Sequence, residues 1–412
     1  MSPISATEAQ PLEAGSEGYR KANLALFVAG FACFAMLYGT QPILPLLVEV
    51  FGVAPATASL SVSAGTITLA AMLIPASVLS DRFGRQQLMR WSLVAAALFA
   101  TLAALVTDFT QLLVLRGLLG IAIAGVPAAA MAYLGEEIAP SAQGRAMGLY
   151  IAGNAFGGMS GRFISALLTD LADWRFGLAA LGILGAIAAL VFWRALPVSH
   201  HFRRRSIALP ALWRDIRSVY GDRGLPWLFV TAFLLMGSFV GFYNFLGFRL
   251  VADPFGLSPA WLGAIFLMYV IGSWASAWAG RLADRIGRRN VLWVMISVAA
   301  GGLFVTLADH LLPIVAGLAL FTFGFFGAHS IASGWVSRRA GEQRALAAAI
   351  YLSSYYMGGS VLGSSTGLAW TMGAWPGVVA MLACTMGAVL LVSLRLRAIP
   401  RKDAPPTAAL AA

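Results

Sequence analysis

Charged side chains are scarce along this sequence, and two of them interrupt segments that are otherwise apolar. Arg116 and Arg162 each lie within a run of the length and composition that crosses a bilayer. A guanidinium at the centre of a bilayer costs at least about 2.5 kcal/mol, so it normally faces a partner or a water-filled cavity. Both arginines are therefore candidates for binding a substrate. The alternative is that each extends to the nearby membrane interface.

Groups that could carry a proton across the membrane are few. No Asp or Glu lies in the middle of an apolar run, which leaves Glu49, Asp81 and His329 as candidates. Glu49 follows the first run, where we expect it on the same side of the membrane as Arg162, and it is the candidate coupling carboxylate. His329 could titrate near neutral pH or could be a hydrogen-bonded packing residue. The histidines and cysteines show no metal-ligand spacing, so we expect neither metal nor cofactor.

The pattern D-R-x-G-R occurs twice, 203 residues apart. Its members are Asp81, Arg82, Gly84 and Arg85, and then Asp284, Arg285, Gly287 and Arg288. Each copy stands in a loop of about eight residues that must reverse direction, and its glycine permits the tight turn. Each aspartate falls at a membrane boundary, where it can pair with an arginine or a helix N-terminus. Such a contact can form in one conformation and break in another.

Polar and aromatic side chains within apolar runs are candidates to line a binding cavity. They include Tyr38, Gln41, Asn154, Asn244, Tyr269 and Tyr355. The alternative for each tyrosine is an anchor at the membrane interface. Pro42 and Pro45 stand beside Gln41 and should break the first helix.

These residues belong to a chain with the composition of a membrane protein. Hydrophobic residues make up 59% of it and charged residues 11%, against about 25% charged in a soluble domain. A helix needs about 20 apolar residues to cross a bilayer. The runs predict twelve spans, near residues 23–47, 58–79, 88–107, 110–133, 146–169, 174–196, 226–250, 260–280, 290–308, 311–334, 345–370 and 375–395.

The distribution of Lys and Arg predicts the orientation. Of 28 such residues, Arg116 and Arg162 fall within spans, Arg175 and Arg249 fall on one side, and the remainder fall on the side that holds both termini. That side is predicted to be cytoplasmic. The formal charge of +11 thus reflects topology, and we expect no nucleic-acid partner.

The spans divide into two halves around one long connection. The predicted organisation is a cytoplasmic tail (1–21), a six-helix bundle (22–196), a basic linker (197–225), a second six-helix bundle (226–395) and a cytoplasmic tail (396–412). Within the linker, residues 209–219 could form an amphipathic helix on the inner leaflet or could simply enforce topology. In the fifth span, Gly153, Gly157 and Gly161 form a smooth stripe, which favours close helix packing or a gate.

The sequence resembles the major facilitator superfamily. GRLADRIGRR (280–289) matches the family's loop motif fully, and SVLSDRFGRQ (77–86) departs only where Ser77 replaces the usual Gly. The resemblance implies two six-helix bundles with pseudo-symmetry around a central cavity, and alternating access. It also implies that Asp81 and Arg85 latch the cytoplasmic side in the outward-open state. Because spans one, four, seven and ten line the cavity in this family, it favours Tyr38, Gln41, Arg116, Asn244 and His329 as lining residues.

Two further segments resemble motifs of proton-linked exporters. Residues 116–120 (RGLLG) resemble the family's R-x-x-x-G motif, and residues 153–162 (GNAFGGMSGR) resemble its glycine-rich antiporter motif. The second departs from the motif because Gly158 replaces the usual Pro and Arg162 the last Gly. The run is most similar to the YnfM-type branch of bacterial drug-resistance-like transporters, and the chain as a whole resembles YnfM-type or drug:proton antiporter members with twelve spans.

The expected function is proton-coupled efflux of a small organic compound across the inner membrane by a monomer. Aromatic, acid-poor lining candidates favour a neutral or anionic substrate. The first alternative is an importer of a sugar, amino acid or organic anion, in which Arg116 would clamp a carboxylate. The second is a membrane enzyme or receptor, and we expect no enzyme because the sequence has no cluster of catalytic residues.

Overall fold

The computed structural model describes residues 11–202 and 209–399, which are almost entirely helical. The parts of the predicted tails and linker at 1–10, 203–208 and 400–412 lie outside the described residues. The helices are α1 Glu17–Tyr38, α2 Leu44–Phe51, α3 Pro55–Phe83, α4 Arg85–Leu102, α5 Phe109–Ile123, α6 Gly125–Glu137, α7 Pro140–Leu171, α8 Trp174–Ala195, α9 Leu209–Tyr220, α10 Leu225–Val251, α11 Pro259–Ala264, α12 Tyr269–Ile286, α13 Arg288–Val305, α14 Leu311–Ala340 and α15 Arg344–Ala398.

The helices agree with the predicted spans. Within the described ranges, nine segments are long and apolar enough to cross a membrane. The last of them, Leu311–Ala398, is 88 residues long. It is interrupted by a 3-10 turn at Gly341–Gln343 and by non-helical backbone at Gly373 and Ala374, so it supplies three spans. The less apolar α7, with 32 residues, matches the fifth predicted span. The all-helical membrane fold is therefore confirmed.

The predicted break in the first span is also confirmed. α1 ends at Tyr38, a 3-10 turn covers Gln41–Ile43, and α2 follows. Proline lacks the amide hydrogen that a helix interior requires, so Pro42 and Pro45 sit at the starts of new helical segments instead. The break leaves Gln41 in a buried turn between two helices.

The glycine stripe of α7 packs directly on α1. A Cβ atom built on Gly157 would lie 2.0 Å from the carbonyl oxygen of Phe31, and one built on Gly161 would lie 2.3 Å from the Cα of Ala35. No side chain fits at such distances, so glycine is what lets the two backbones meet. The packing interpretation of the stripe is confirmed, and a role in gating stays a prediction.

The described residues form two compact units. The first contains the helices up to Ala195 together with Tyr243–Tyr269, and the second contains α9, the first part of α10 up to Phe242, and the chain from Val270 onward. The division thus runs through α10 rather than only through the linker. The two predicted six-helix domains stay a prediction.

A helix does form in the linker. α9 spans Leu209–Tyr220 and places Trp213 in an exposed position and Val219 in a buried one. The helical interpretation of this segment is therefore confirmed, and its contact with the inner leaflet stays a prediction.

Candidate functional site

Both motif glycines form the turns that the sequence predicts. α3 ends at Phe83 and α4 begins at Arg85, so Gly84 alone makes the connection, with φ of 101°. Gly287 does the same between α12 and α13, with φ of 90°. These angles lie in the region that residues with a Cβ avoid. The two loops are therefore equivalent in backbone conformation.

In the first copy, the motif forms a buried ion-pair cluster. Arg85 Nη2 lies 2.6 Å from Asp81 Oδ1 and 2.9 Å from Glu136 Oε1. Arg85 Nη1 also donates to the Ser80 hydroxyl at 3.0 Å. Glu136 is the partner that the sequence analysis missed, although its position at the end of the fourth span placed it at the same membrane boundary. The cluster ties the ends of α3, α4 and α6 together.

The second copy is looser and more exposed. Arg288 Nη2 lies 3.1 Å from Asp284 Oδ1, and Arg338 Nη2 lies 3.6 Å from the same oxygen. The Asp284 side chain is 60% exposed, against 12% for Asp81. The remaining motif arginines, Arg82 and Arg285, have exposed side chains. The role of either copy as a conformational latch stays a prediction.

Arg116 is held entirely by backbone oxygen atoms. Its Nε donates to the carbonyl of Ser61 at 2.9 Å, its Nη1 to that of Met36 at 2.8 Å, and its Nη2 to that of Leu37. The side chain is buried. Arg116 therefore bridges α1, α3 and α5 in this structure, and its role as a substrate clamp stays a prediction.

Arg162 has a different environment. Its Nε donates to Gln41 Oε1 at 2.6 Å, and its Nη1 donates to the carbonyl of Gly158 at 2.6 Å. Gln41 Nε2 in turn donates to Asn244 Oδ1 at 2.7 Å. These hydrogen bonds join α7, the turn after α1 and α10 in one polar network inside the first unit. The network contains Arg162, Gln41 and Asn244, which the sequence analysis named separately.

Aromatic rings enclose the Arg162 guanidinium. Its central carbon lies 4.0 Å from the ring centroid of Tyr38, 4.9 Å from that of Phe266 and 5.2 Å from that of Tyr269. Each is within the range of a cation–π interaction. Tyr38 and Tyr269 were candidates from the sequence. Phe266 was not, because nothing in its local sequence distinguishes it from other phenylalanines.

The charge of Arg162 is not matched by a carboxylate in the described part of the chain. Its hydrogen bonds there go to neutral oxygen atoms, and no ion pair described for this structure includes it. The candidate carboxylate Glu49 lies near the end of α2 with an exposed side chain, so the two are not brought together. Tyr38 Oη and Asn244 Nδ2 are buried without a hydrogen-bond partner among the described residues. The site therefore combines a buried cation with aromatic rings around it and two buried polar atoms without a described hydrogen-bond partner.

The remaining candidates lie elsewhere. In the second unit, the Tyr351 hydroxyl lies 3.0 Å from His329 Nδ1, and the Tyr355 ring centroid lies 4.6 Å from that of His329. This favours the packing interpretation of His329, and its coupling role stays a prediction. In the first unit, Asn154 packs against α1, where a Cβ on Gly30 would lie 2.1 Å from Asn154 Oδ1.

The fold and these buried polar networks define a multi-span membrane protein, and comparisons with known proteins show that it is a transporter rather than an enzyme. Residues 26–361 match the model of the family described as Major Facilitator Superfamily. The chain belongs to the major facilitator superfamily.

Two curated relatives are similar over nearly the whole chain. The inner membrane transport protein YnfM of Escherichia coli K12 is 42% identical over 94% of this chain and 93% of its own. The uncharacterized MFS-type transporter YybF of Bacillus subtilis 168 is 41% identical over 92% of this chain and 93% of its own. The predicted family and the resemblance to YnfM are confirmed, and drug:proton antiport stays a prediction.

A solved structure shows the same fold at low identity. The crystal structure of a bacterial homolog of the human lysosomal transporter Spinster, in an inward-facing and occupied conformation, matches with a TM-score of 0.75 at 16% identity. The match covers 93% of this chain and 96% of that chain.

Proposed function

We propose that this transporter exports a small organic anion that carries an aromatic or otherwise apolar body, in exchange for protons. The observation that carries the proposal is Arg162, a buried guanidinium with neutral hydrogen-bond partners and three aromatic rings around it. A planar guanidinium offers five N–H donors, of which two make described hydrogen bonds. A carboxylate would use the free edge at Nη2 and neutralise the charge.

The surrounding side chains suit the rest of such a ligand. Tyr38 and Asn244 each offer a buried polar atom that has no partner in the described chain, and each could bind a ligand oxygen. Tyr38, Phe266 and Tyr269 provide ring faces for an apolar body. Few polar groups among aromatic walls are typical of small-molecule sites. A cationic drug would instead face repulsion from Arg162.

The membrane potential favours export over import for an anion. Moving one elementary charge across 100 mV is worth about 2.3 kcal/mol, and an inside-negative potential drives anions outward. Exchange for an inward proton adds the same electrical contribution again. Glu49, in the first unit, is the proposed proton carrier, because the contacts of His329 favour a packing role. The inner membrane as location, the cytoplasmic placement of both termini and the monomeric state belong to the same proposal.

A binding experiment tests the substrate class. Purified protein is heated with a panel of aromatic carboxylates, each paired with its primary amide, and unfolding is followed by tryptophan fluorescence. We expect stabilisation by at least one acid and none by its amide, because bound ligand stabilises the folded state. Arg162→Gln should abolish the shift and Arg162→Lys should retain part of it. The matched control is Arg175→Gln, which removes an exposed arginine in α8.

The same panel separates the alternatives. Equal stabilisation by acid and amide, or a full response in Arg162→Gln, would show that the guanidinium does not select an anion. Sugars and free amino acids are added to the panel for the importer alternative, and a response limited to them would favour an importer on the same fold.

A further inference from the structure

The second unit contains a cavity of about 590 Å³ whose lining is strongly basic. It opens where α12 ends, α13 begins, and α14 and α15 end. Its cationic residues are Arg288, Arg289, Arg338, Arg339 and Arg397. Asp284 is the acidic residue of the lining, and Trp335 contributes an aromatic wall. The volume lies within the range of small-molecule sites.

The described contacts leave the cavity with an excess of positive charge. Asp284 is shared between Arg288 and Arg338, at 3.1 and 3.6 Å. Arg339 Nε lies 2.5 Å from Asp222 Oδ1. Asp222 does not line the cavity. Arg397 has no described ion pair. Asp284, the carboxylate of the lining, therefore serves two of the five arginines, so an anion from outside would complete the site.

The equivalent place in the first unit is balanced within the chain. There Arg85 meets both Asp81 and Glu136. The residue that stands 203 positions after Glu136, the spacing of the two motif aspartates, is Arg339. At this spacing the second half has an arginine where the first half has a carboxylate. The two halves share a backbone turn but differ in charge, which indicates a different use of the second copy.

We propose that this arginine cavity binds a phosphate-bearing anion, either the headgroup of an anionic phospholipid or a soluble phosphate. Guanidinium forks match the geometry of phosphate oxygens. The N-terminus of α13, an 18-residue helix that begins at Arg288, adds the positive end of its dipole at the same place. Basic pockets between helix ends on the cytoplasmic side suit lipid headgroups, and Trp335 has the side chain that interfaces favour. The site is separate from Arg162, so it stands or falls independently of the transport proposal.

Two exposed arginines make the proposal testable without disturbing the core. Arg338 and Arg397 have exposed side chains, so the double variant Arg338→Gln/Arg397→Gln should fold. The control is Arg344→Gln, which removes an exposed charge at the start of α15 and lies outside the cavity lining. Thermal unfolding is followed in two arms. The first compares inorganic phosphate with chloride at equal ionic strength. The second compares mixed micelles that contain phosphatidylglycerol with mixed micelles that contain phosphatidylcholine.

We expect stabilisation in at least one arm. The double variant should need at least about tenfold more of the probe for half of the shift, whereas Arg344→Gln should behave as the wild type. A response to phosphatidylglycerol alone assigns a lipid headgroup, and a response that includes inorganic phosphate assigns a soluble anion. No response in either arm, or the same response in the double variant as in the wild type, would overturn the proposal.

Discussion

The charge clusters at the two D-R-x-G-R turns predict that one motif arginine matters far more for stability than the other. Arg85→Gln removes the cation from between Asp81 and Glu136, and Arg288→Gln removes the equivalent cation beside Asp284. The Arg85 side chain is 7% exposed. Its partner Asp81 is 12% exposed. In the second copy, the side chains of Arg288 and Asp284 are 21% and 60% exposed. The two substitutions are chemically identical, so the difference between them isolates the local environment.

The structure sets the expected magnitudes. Removing one partner of a buried ion pair costs about 3–5 kcal/mol, because a buried charge is left uncompensated. The lower end, about 3 kcal/mol, applies to Arg85 because Glu136 is 28% exposed and water can solvate it. An exposed pair is worth about 0–1 kcal/mol, and this range applies to Arg288. We therefore expect Arg85→Gln to lower the free energy of unfolding by about 2 kcal/mol more than Arg288→Gln does.

The assay is denaturant unfolding of both purified variants in the same detergent and without added phosphate. A third protein, Arg85→Gln/Glu136→Gln, serves as the control and should recover part of the loss, because it also removes one orphaned carboxylate. The reasoning fails if the two single variants are destabilised equally, or if the double variant is less stable than Arg85→Gln alone.

Three further predictions follow from packing and charge. Gly157→Ala should destabilise by at least about 1–3 kcal/mol, because its new Cβ would overlap the backbone of α1; Gly148→Ala, on the same helix with open space around it, should be neutral or stabilising in the same thermal melt. Arg116→Gln should cost about 3 kcal/mol, since it leaves backbone carbonyls buried without donors; survival of monodisperse protein after mild heating, equal to that of the wild type, would refute this. Burial acts to raise the pKa of Asp222, but hydrogen bonds from Arg339 and from main-chain N–H groups lower it by more than burial raises it. The pKa of Asp222 therefore lies below its usual range. Its stabilisation is therefore present above about pH 4, the unfolded value, and is lost as pH falls through the lower folded pKa; Asp222→Asn should be less stable than the wild type at pH 7, and a gap that does not narrow as the pH falls below about 4 would contradict the assignment.

Local rules made the turns and breaks predictable from sequence. Gly84 and Gly287 had to adopt positive φ because their loops reverse within a few residues. Pro42 and Pro45 favour a break in the first span because they lack amide hydrogens. In each case the constraint is contained in the residue itself, so one sequence is enough to find it.

Pairings between distant residues were not predictable in the same way. Arg162 and Gln41 were both candidates, yet their contact depends on how α7 packs against the turn after α1, which the hydropathy pattern does not encode. Glu136 has an equally polar neighbour in Glu137, and the sequence offers no basis for choosing Arg85's partner. Phe266 has no polar atom that would single it out in the sequence. A side chain that acts through its ring face is visible only once the fold has placed a cation beside it.

The most direct test of the proposed transport is uptake into everted membrane vesicles of the aromatic carboxylate that stabilises the protein best. Respiration makes the interior of such vesicles acidic and positive, so an exporter of organic anions that exchanges protons should accumulate the compound. We predict that a protonophore abolishes the accumulation, that the paired amide is not taken up, and that Arg162→Gln at equal protein amounts reduces the rate at least tenfold. Uptake that persists with the protonophore, or that is unchanged in Arg162→Gln, would contradict the account.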